Sequence, residues 1–397
     1  MRIATFQSSQ NAMTGIAARQ AEQDRIQNQL STGLRVNAPS DDPVAAAQAE
    51  LARSRLTRVA QDQRAAQLSS SLLTSADNSL AQGVDVLQGM RDTLVAAGNG
   101  SYSPAERKIL AEQLSAARDR LLAVANTRDS TGGFVFSGQG TADSPVSGNS
   151  LPSYDPVAGE QRIGADARYA SNVDGRAAFV ALPRGNGVFV PGSLAANTGS
   201  ASVDAGRVTD ASLLTGHDYQ ITITGTSGSL QYSVNDLTAG TMLSTGTPFA
   251  SGSAIDIEGQ RVVVTGVPQA GDQFELKPAG QQSIFKTVDD AIALLQDPSV
   301  SPSRYAERLQ AVQTSLDGAL DRMSFLRTKV GEELNSTDAA FASNSQLALQ
   351  TESRRSDLRD LDYAGAVSDM QVNQTALQAA LKSYANFARL SLFDSLN

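Results

Sequence analysis

The sequence contains no cysteine and no tryptophan, and His217 is its only histidine. Without cysteine there is no disulfide framework, no thiolate nucleophile and no Cys-based zinc site. A single histidine excludes a two-His metal motif of the HExxH kind and leaves Ser-His-Asp chemistry hanging on His217 alone. Proline is missing before Pro39, between Pro43 and Pro104, and after Pro302. Interior proline costs a helix about 3 kcal/mol, so these gaps outline helical zones at both ends and a non-helical middle. No stretch approaches the roughly 20 consecutive apolar residues of a transmembrane helix. The segment Met1 to Gln7 has no apolar h-region, so no cleaved Sec-type signal is expected. The net charge of −9 and isoelectric point near 4.8 argue against nucleic acid or an anionic membrane as a partner. At 397 residues the chain has room for two or more domains.

What is present is heptad spacing. Tyr363, Val367, Met370, Gln374, Leu377, Leu381, Tyr384 and Ala388 are separated by alternating steps of four and three. This is the seam of a helix built to lie against other helices. About 35 residues of helix would extend about 50 Å. The N-terminal zone, Ile3 to Gly33, is a marginal helix with sparse apolar positions at Ile16, Ile26 and Leu30. It can cover only one side of that length, and many packed copies would bury the rest. A loop from Val36 to Pro43 follows, in which Asp42 is a natural N-cap and Pro43 the first helical residue. The next helix repeats in sevens, Val59, Ala66, Leu73, Leu80, Leu87 and Leu94, and stops at Gly98-Asn99-Gly100. Its partner, 104–127, carries Leu110, Leu114, Ala117, Leu121 and Val124, completing an antiparallel hairpin.

From Thr131 to about Gln282 the apolar residues alternate instead, between Gly-containing turns. Strands are expected at 219–224, 230–234, 261–265 and 273–277. Helices resume at 288–295 and then from Ser303 through Leu309, Leu316, Met323 and Val330. A further helical stretch carries Leu334 and Phe341. The fold class is α+β, a long-helix coiled-coil core built from both chain ends with an inserted mainly-β domain. The expected divisions are 1–40, 41–135, 136–283, 284–352 and 353–397.

Candidate chemistry is thin. His217 lies at a turn entering a strand and reads as a loop histidine. Asp41-Asp42 and Asp289-Asp290 are sequence neighbours that point in different directions, which suits capping and turn roles rather than paired acid and base. Gly132-Gly133 and Gly185-Asn186-Gly187 match no phosphate-binding fingerprint. No catalytic, cofactor-binding or metal-binding constellation results.

Leu30-Ser31-Thr32-Gly33-Leu34-Arg35-Val36-Asn37, followed by Asp41-Asp42-Pro43, closely resembles the N-terminal signature of bacterial flagellins and their relatives. Three C-terminal runs are similar to one branch, hook-associated protein 3 of the hook–filament junction. They are Asp360 to Ala364, Leu377-Gln378-Ala379-Ala380-Leu381 and Leu390-Ser391-Leu392-Phe393-Asp394. Gly133-Phe134-Val135-Phe136-Ser137-Gly138 also looks like that branch. The likeness covers about the first 140 and last 115 residues. Pro39 departs from the small or charged residue common in relatives and should stiffen its loop.

The resemblance implies a flagellin-like fold whose two ends order together on assembly, and an extracellular place in the flagellum reached through type III export without a cleaved signal peptide. It implies a homo-oligomeric ring between hook-associated protein 1 and flagellin, and an export chaperone on the C-terminal helix. The assembly interface is expected at Ile26, Leu30, Leu34, Tyr363, Val367, Met370, Leu377, Leu381, Tyr384, Leu392 and Phe393. The loop between inner and outer shells is expected at Asn37, Asp41, Asp42 and Pro43. Two alternatives stay open from the residues, a flagellin filament subunit and, more remotely, a secreted glycan-binding β module on a coiled-coil stalk.

Overall fold

The computed structural model describes residues 2–129, 132–137, 146, 160–162, 168–170, 173, 175–226 and 228–393, without the side chains of 2–6, 8, 9, 160–162, 168–170 and 387–393. Among the described residues, six α-helices lie on either side of the middle: α1 (Arg2–Thr32), α2 (Pro43–Ala97), α3 (Pro104–Ala125), α4 (Ile284–Gln296), α5 (Pro302–Arg359) and α6 (Tyr363–Phe393). β-Structure fills the described part of the middle. The chain forms two compact units, one of residues 1–64 and 340–397 and one of residues 65–339.

The second unit has two apolar cores. The helical core is built from Leu73, Leu80, Leu87, Met90 and Leu94 of α2, Leu114 and Leu121 of α3, the apolar face of α4, and Leu309, Leu316, Met323, Leu326 and Val330 of α5. Arg91–Asp317 and Arg327–Asp77 pairs flank α2 and α5 at 2.6 and 3.0 Å. α3 begins with a capping box: Glu106 N–H donates to Ser103 Oγ, and Ser103 N–H donates to Glu106 Oε2. α4 begins at Ile284, earlier than the periodicity from Val288 implies, because Ser283 caps it. That extra turn buries Ile284 and Phe285. Phe179 sits between Phe136, edge-on at 5.2 Å, and Phe285, stacked at 6.5 Å.

The second core lies in the β region, around Phe189, Tyr219, Ile221, Ile223, Val262, Val264, Phe274 and Leu276. A five-stranded antiparallel sheet runs in the order Phe189–Ser193, Gln273–Pro278, Tyr219–Thr226, Ser229–Asp236, Thr241–Pro248. Alternation in Tyr219–Thr226 puts Tyr219, Ile221 and Ile223 on the buried face. The strands Ala254–Ile257, Ser202–Val203 and Arg207–Val208 all pair with Gln260–Thr265. Two strands of the larger sheet escape a reading by alternation. Phe189–Ser193 contains Pro191 and Gly192, tolerated because it is an edge strand. Thr241–Pro248 is the opposite edge, mostly exposed, so it has no apolar face to read.

The β region meets α5 through polar groups. Glu307 accepts hydrogen bonds from the N–H groups of Ser193 (2.7 Å) and Val203 (3.3 Å) and from the Ser193 hydroxyl. Arg304 donates to the carbonyls of Leu194, Ala195 and Asn197 at 2.8–3.0 Å. These bonds satisfy backbone groups at the end of the edge strand, in the segment that follows it and at Val203.

α5 is continuous for 58 residues, where the sequence suggested a break after Val330. A heptad carries it through Gly331: Leu309, Leu316, Met323, Val330, Thr337, Asn344, Thr351 and Leu358. One interior glycine costs about 1 kcal/mol, too little to interrupt it. The composition of the seam nevertheless changes. In the second unit the buried positions of α2 and α5 are mostly Leu, Met and Val. In the first unit they are Ala45, Ala49, Ala52, Val59, Asn344 and Thr351. Each alanine in place of leucine forgoes about 2 kcal/mol of burial. Asn344 Nδ2 is buried without a hydrogen-bond partner among the described residues. The first unit is thus weakly held by its own packing. Asn344→Leu is expected to stabilise it by about 1–3 kcal/mol, by removing that desolvated amide. Circular dichroism of the free chain would read this as a later melting of the terminal helices.

Candidate assembly interface

The first unit brings the two chain ends together. α1 and α6 pair antiparallel, with Gly33 of the α1 end beside Tyr363 and Arg19 beside Asn373. Their junction is built from backbone. Gly33 closes α1 in the left-handed region (φ +72°), and a Cβ there would stand 2.7 Å from the Tyr363 hydroxyl. The Arg35 N–H donates to the Arg359 carbonyl at 2.7 Å, and the Leu361 N–H to the Gly33 carbonyl at 3.0 Å. Arg35 Nη2 donates to the Leu358 carbonyl at 2.6 Å, and Gln29 Nε2 to the Arg35 carbonyl at 2.6 Å. The loop after α1 and the turn before α6 are therefore one joint. Asp362 caps α6 by accepting from the N–H groups of Ala364 and Gly365.

The loop residues divide the work. Asp41 Oδ2 accepts from the N–H groups of Asn37 (2.9 Å) and Ala38 (2.8 Å), and Asn37 Nδ2 donates to the Leu34 carbonyl. Asp42 caps α2 by accepting from the Ala45 N–H at 2.9 Å, and Pro43 is the first helical residue. That backbone hydrogen bond, with help from Arg35 3.4 Å away, holds the Asp42 carboxyl below its ordinary value. Pro39 and Pro43, with Val36, Ala46, Ala47 and Ala49, line an open groove of about 390 Å³ rimmed by Glu50 and Arg359.

The seam residues fall into two groups. Ile26 is buried, while Leu30, Leu34, Met370, Leu377 and Tyr384 are half-buried. Tyr363, Val367 and Leu381 are exposed, at 45–56% of their surface. The side chains of Leu392 and Phe393 lie outside the described residues. The stripe of α6 that faces α1 is Ala366, Met370, Asn373, Leu377, Ala380 and Tyr384. It overlaps the apolar stripe read from the sequence at Met370, Leu377 and Tyr384, turned so that Asn373 rather than Gln374 is the buried polar member. Val367 and Leu381 flank it, and Val372 is 65% exposed. A pure apolarity pattern misses Asn373. Its signal is the four-and-three spacing to Ala366, Met370, Leu377 and Ala380.

Elsewhere, His217 Nδ1 lies 2.7 Å from Asp236 Oδ2, and the same carboxylate accepts from the Thr238 and Ala239 N–H groups. The neighbouring Thr215 hydroxyl is hydrogen-bonded to the Tyr219 hydroxyl. These contacts tie a hairpin end. No group of three or more His, Cys, Asp or Glu is placed to hold a metal among the described residues. No helix among them is long and apolar enough to cross a membrane.

Known proteins share this arrangement. Residues 3–141 match the family model of the bacterial flagellin N-terminal helical region. Residues 193–278 match that of the flagellar hook-associated protein 1 D2-like domain. The flagellar hook-associated protein 3 of Escherichia coli K12 is 27% identical, over 99% of both chains. The crystal structure of flagellar hook-associated protein 3 from Legionella pneumophila superposes with a TM-score of 0.73 at 30% identity, covering 78% of this chain and 98% of that one. Flagellin E of Vibrio cholerae is 30% identical over only 28% of this chain. The flagellin-type N-terminal helical region, together with relatives alike in sequence over 99% of the chain, defines a structural component of the bacterial flagellum in the flagellin superfamily. Within that class the full-length relatives decide the branch. The chain belongs to the flagellar hook-associated protein 3 family, the structural proteins of the hook–filament junction.

Proposed function

We propose that many copies of this chain form a ring that joins hook-associated protein 1 on the hook side to flagellin on the distal side. In that ring α1 and α6 form the inner wall, and Tyr363, Val367 and Leu381, on one flank of α6, bury against neighbouring copies. The role is structural, with no catalytic step. The observation that carries it is the pair of helices from opposite chain ends, packed along one face while an apolar flank of α6 stays exposed. An exposed apolar flank of this extent fits a surface made for other subunits. Weak packing in the first unit fits a chain that leaves the cell unfolded by type III export and whose marginally stable ends are held firmly when partners arrive. Before export, the same α6 flank is the surface an export chaperone would hold.

A strain lacking this chain is expected to secrete flagellin that is lost to the medium, leaving hooks without filaments. Electron microscopy and blotting of the medium read both. Filaments still attached to hooks would overturn the junction role. A missing flagellin band in both cells and medium would favour the filament-subunit reading instead.

A further inference from the structure

We infer that Asn373, held by Arg19, locks the axial register in which α1 and α6 pair along their length, beyond the backbone joint at Gly33 and Leu361. Asn373 is 4% exposed, the one polar side chain fully buried among the described residues of the inward stripe of α6. Its amide is used on both sides: Nδ2 donates to the Arg19 carbonyl at 3.0 Å, and Oδ1 accepts from Arg19 Nη1 at 3.4 Å. Neither apolar stripe specifies a register well. On α1 the inward positions Ala12, Ile16, Gln23, Ile26, Gln29 and Leu30 follow helical spacing, with small or polar members among the isoleucines and leucine. On α6 alanine alternates with larger residues. A slip by one heptad would lay apolar on apolar again, with little change in buried area. It would strain the backbone joint at one end, and along the helices it would carry the Asn373 amide away from the Arg19 carbonyl and leave it desolvated and unpaired, where an unmade buried bond costs more than a made one contributes. A single buried asparagine that rejects slipped pairings is a known device of helical seams, achieved at some expense of stability.

The inference rests on the junction reading only for where the helices pair, and its test separates the two. The antiparallel count that sets Arg19 beside Asn373 sets Ile16 beside Leu377, and a one-heptad slip sets Ile16 beside Tyr384. The absence of native cysteine makes a thiol cross-link between such positions unambiguous. Two full-length reporters, Ile16→Cys with Leu377→Cys and Ile16→Cys with Tyr384→Cys, are oxidised in flagella isolated from cells and in the purified chain. With Asn373 present, the native pair should cross-link and the slipped pair should not. Asn373→Leu, which keeps the helices apolar and paired, should raise the slipped-to-native ratio about tenfold, the change expected for roughly one buried hydrogen bond. Asn373→Ala makes the same test without added bulk if the leucine variant fails to fold. Only native cross-links in both variants, or slipped cross-links already with Asn373 present, would overturn the inference, as would neither cross-link in either setting. If the chain is missing from flagella, the junction reading falls, while the cross-links of the purified chain still decide the register.

Discussion

Removing residues 363–397 leaves a chain that stays monomeric, keeps its second unit folded, and fails to form junctions. The deletion takes away all of α6, and with it the only described helix that lies along α1. α1 is then a 31-residue helix, rich in Gln and Ala, whose inward face has lost its cover. Such a helix is marginal on its own, because most helical stability in proteins comes from packing an apolar face. Helix content should therefore drop by more than the deleted segment, as α1 unravels too. The second unit draws none of its core from α6, so its melting should shift by less than about 0.5 kcal/mol, as for distant independent sites. Sedimentation, circular dichroism and complementation of a deletion strain measure the three parts. Junctions formed by the shortened chain would refute the role assigned to the α6 seam.

Phe179→Ala is expected to cost the second unit about 3–5 kcal/mol, the range for emptying a buried aromatic position. Phe179 is fully buried between the rings of Phe136 and Phe285. It therefore touches the segment after α3 and the start of α4 at once. Arg118, 5.8 Å over the Phe285 ring, is ion-paired with Asp289 at 2.6 Å, so the wall around the cavity is pinned and collapses poorly. For a domain of this size the loss lowers Tm by about 10 °C. Calorimetry should show the helical core melting early, while the core around Tyr219 and Phe274 is not directly touched. A shift under about 2 °C would mean the ring cluster is not the tie between bundle and β insertion.

Much of this was legible in the sequence, for reasons that differ by element. Proline gaps and sevens located α2, α3 and α5 because their buried residues are large and regularly spaced. The Asp42 cap and Pro43 start were legible because a first turn is a local structure, satisfied by residues three apart. The strands at 219–226, 229–236 and 273–278 were found by alternation, since one face is buried. The edges at 189–193 and 241–248 were not. An edge strand needs no apolar face, and Pro191 is a breaker in any local reading. The continuity of α5 past Gly331 was also hidden, because a helix can run through one glycine when its seam continues.

The sequence by itself determined that both ends are helical, that a β domain is inserted between them, and that a C-terminal helix carries a seam for other helices. It also determined the family, through signatures such as Leu30 to Asn37 and Asp41-Asp42-Pro43. Only the tertiary structure decided which side of α6 that seam occupies. Helical periodicity defines a stripe only to within one residue, and the facing helix chooses among the neighbouring stripes. That choice made Asn373 the buried polar residue and left Val367, Val372 and Leu381 on the surface. The structure likewise placed Glu307 and Arg304 against the edge strand, a meeting of residues more than a hundred positions apart that no local pattern encodes.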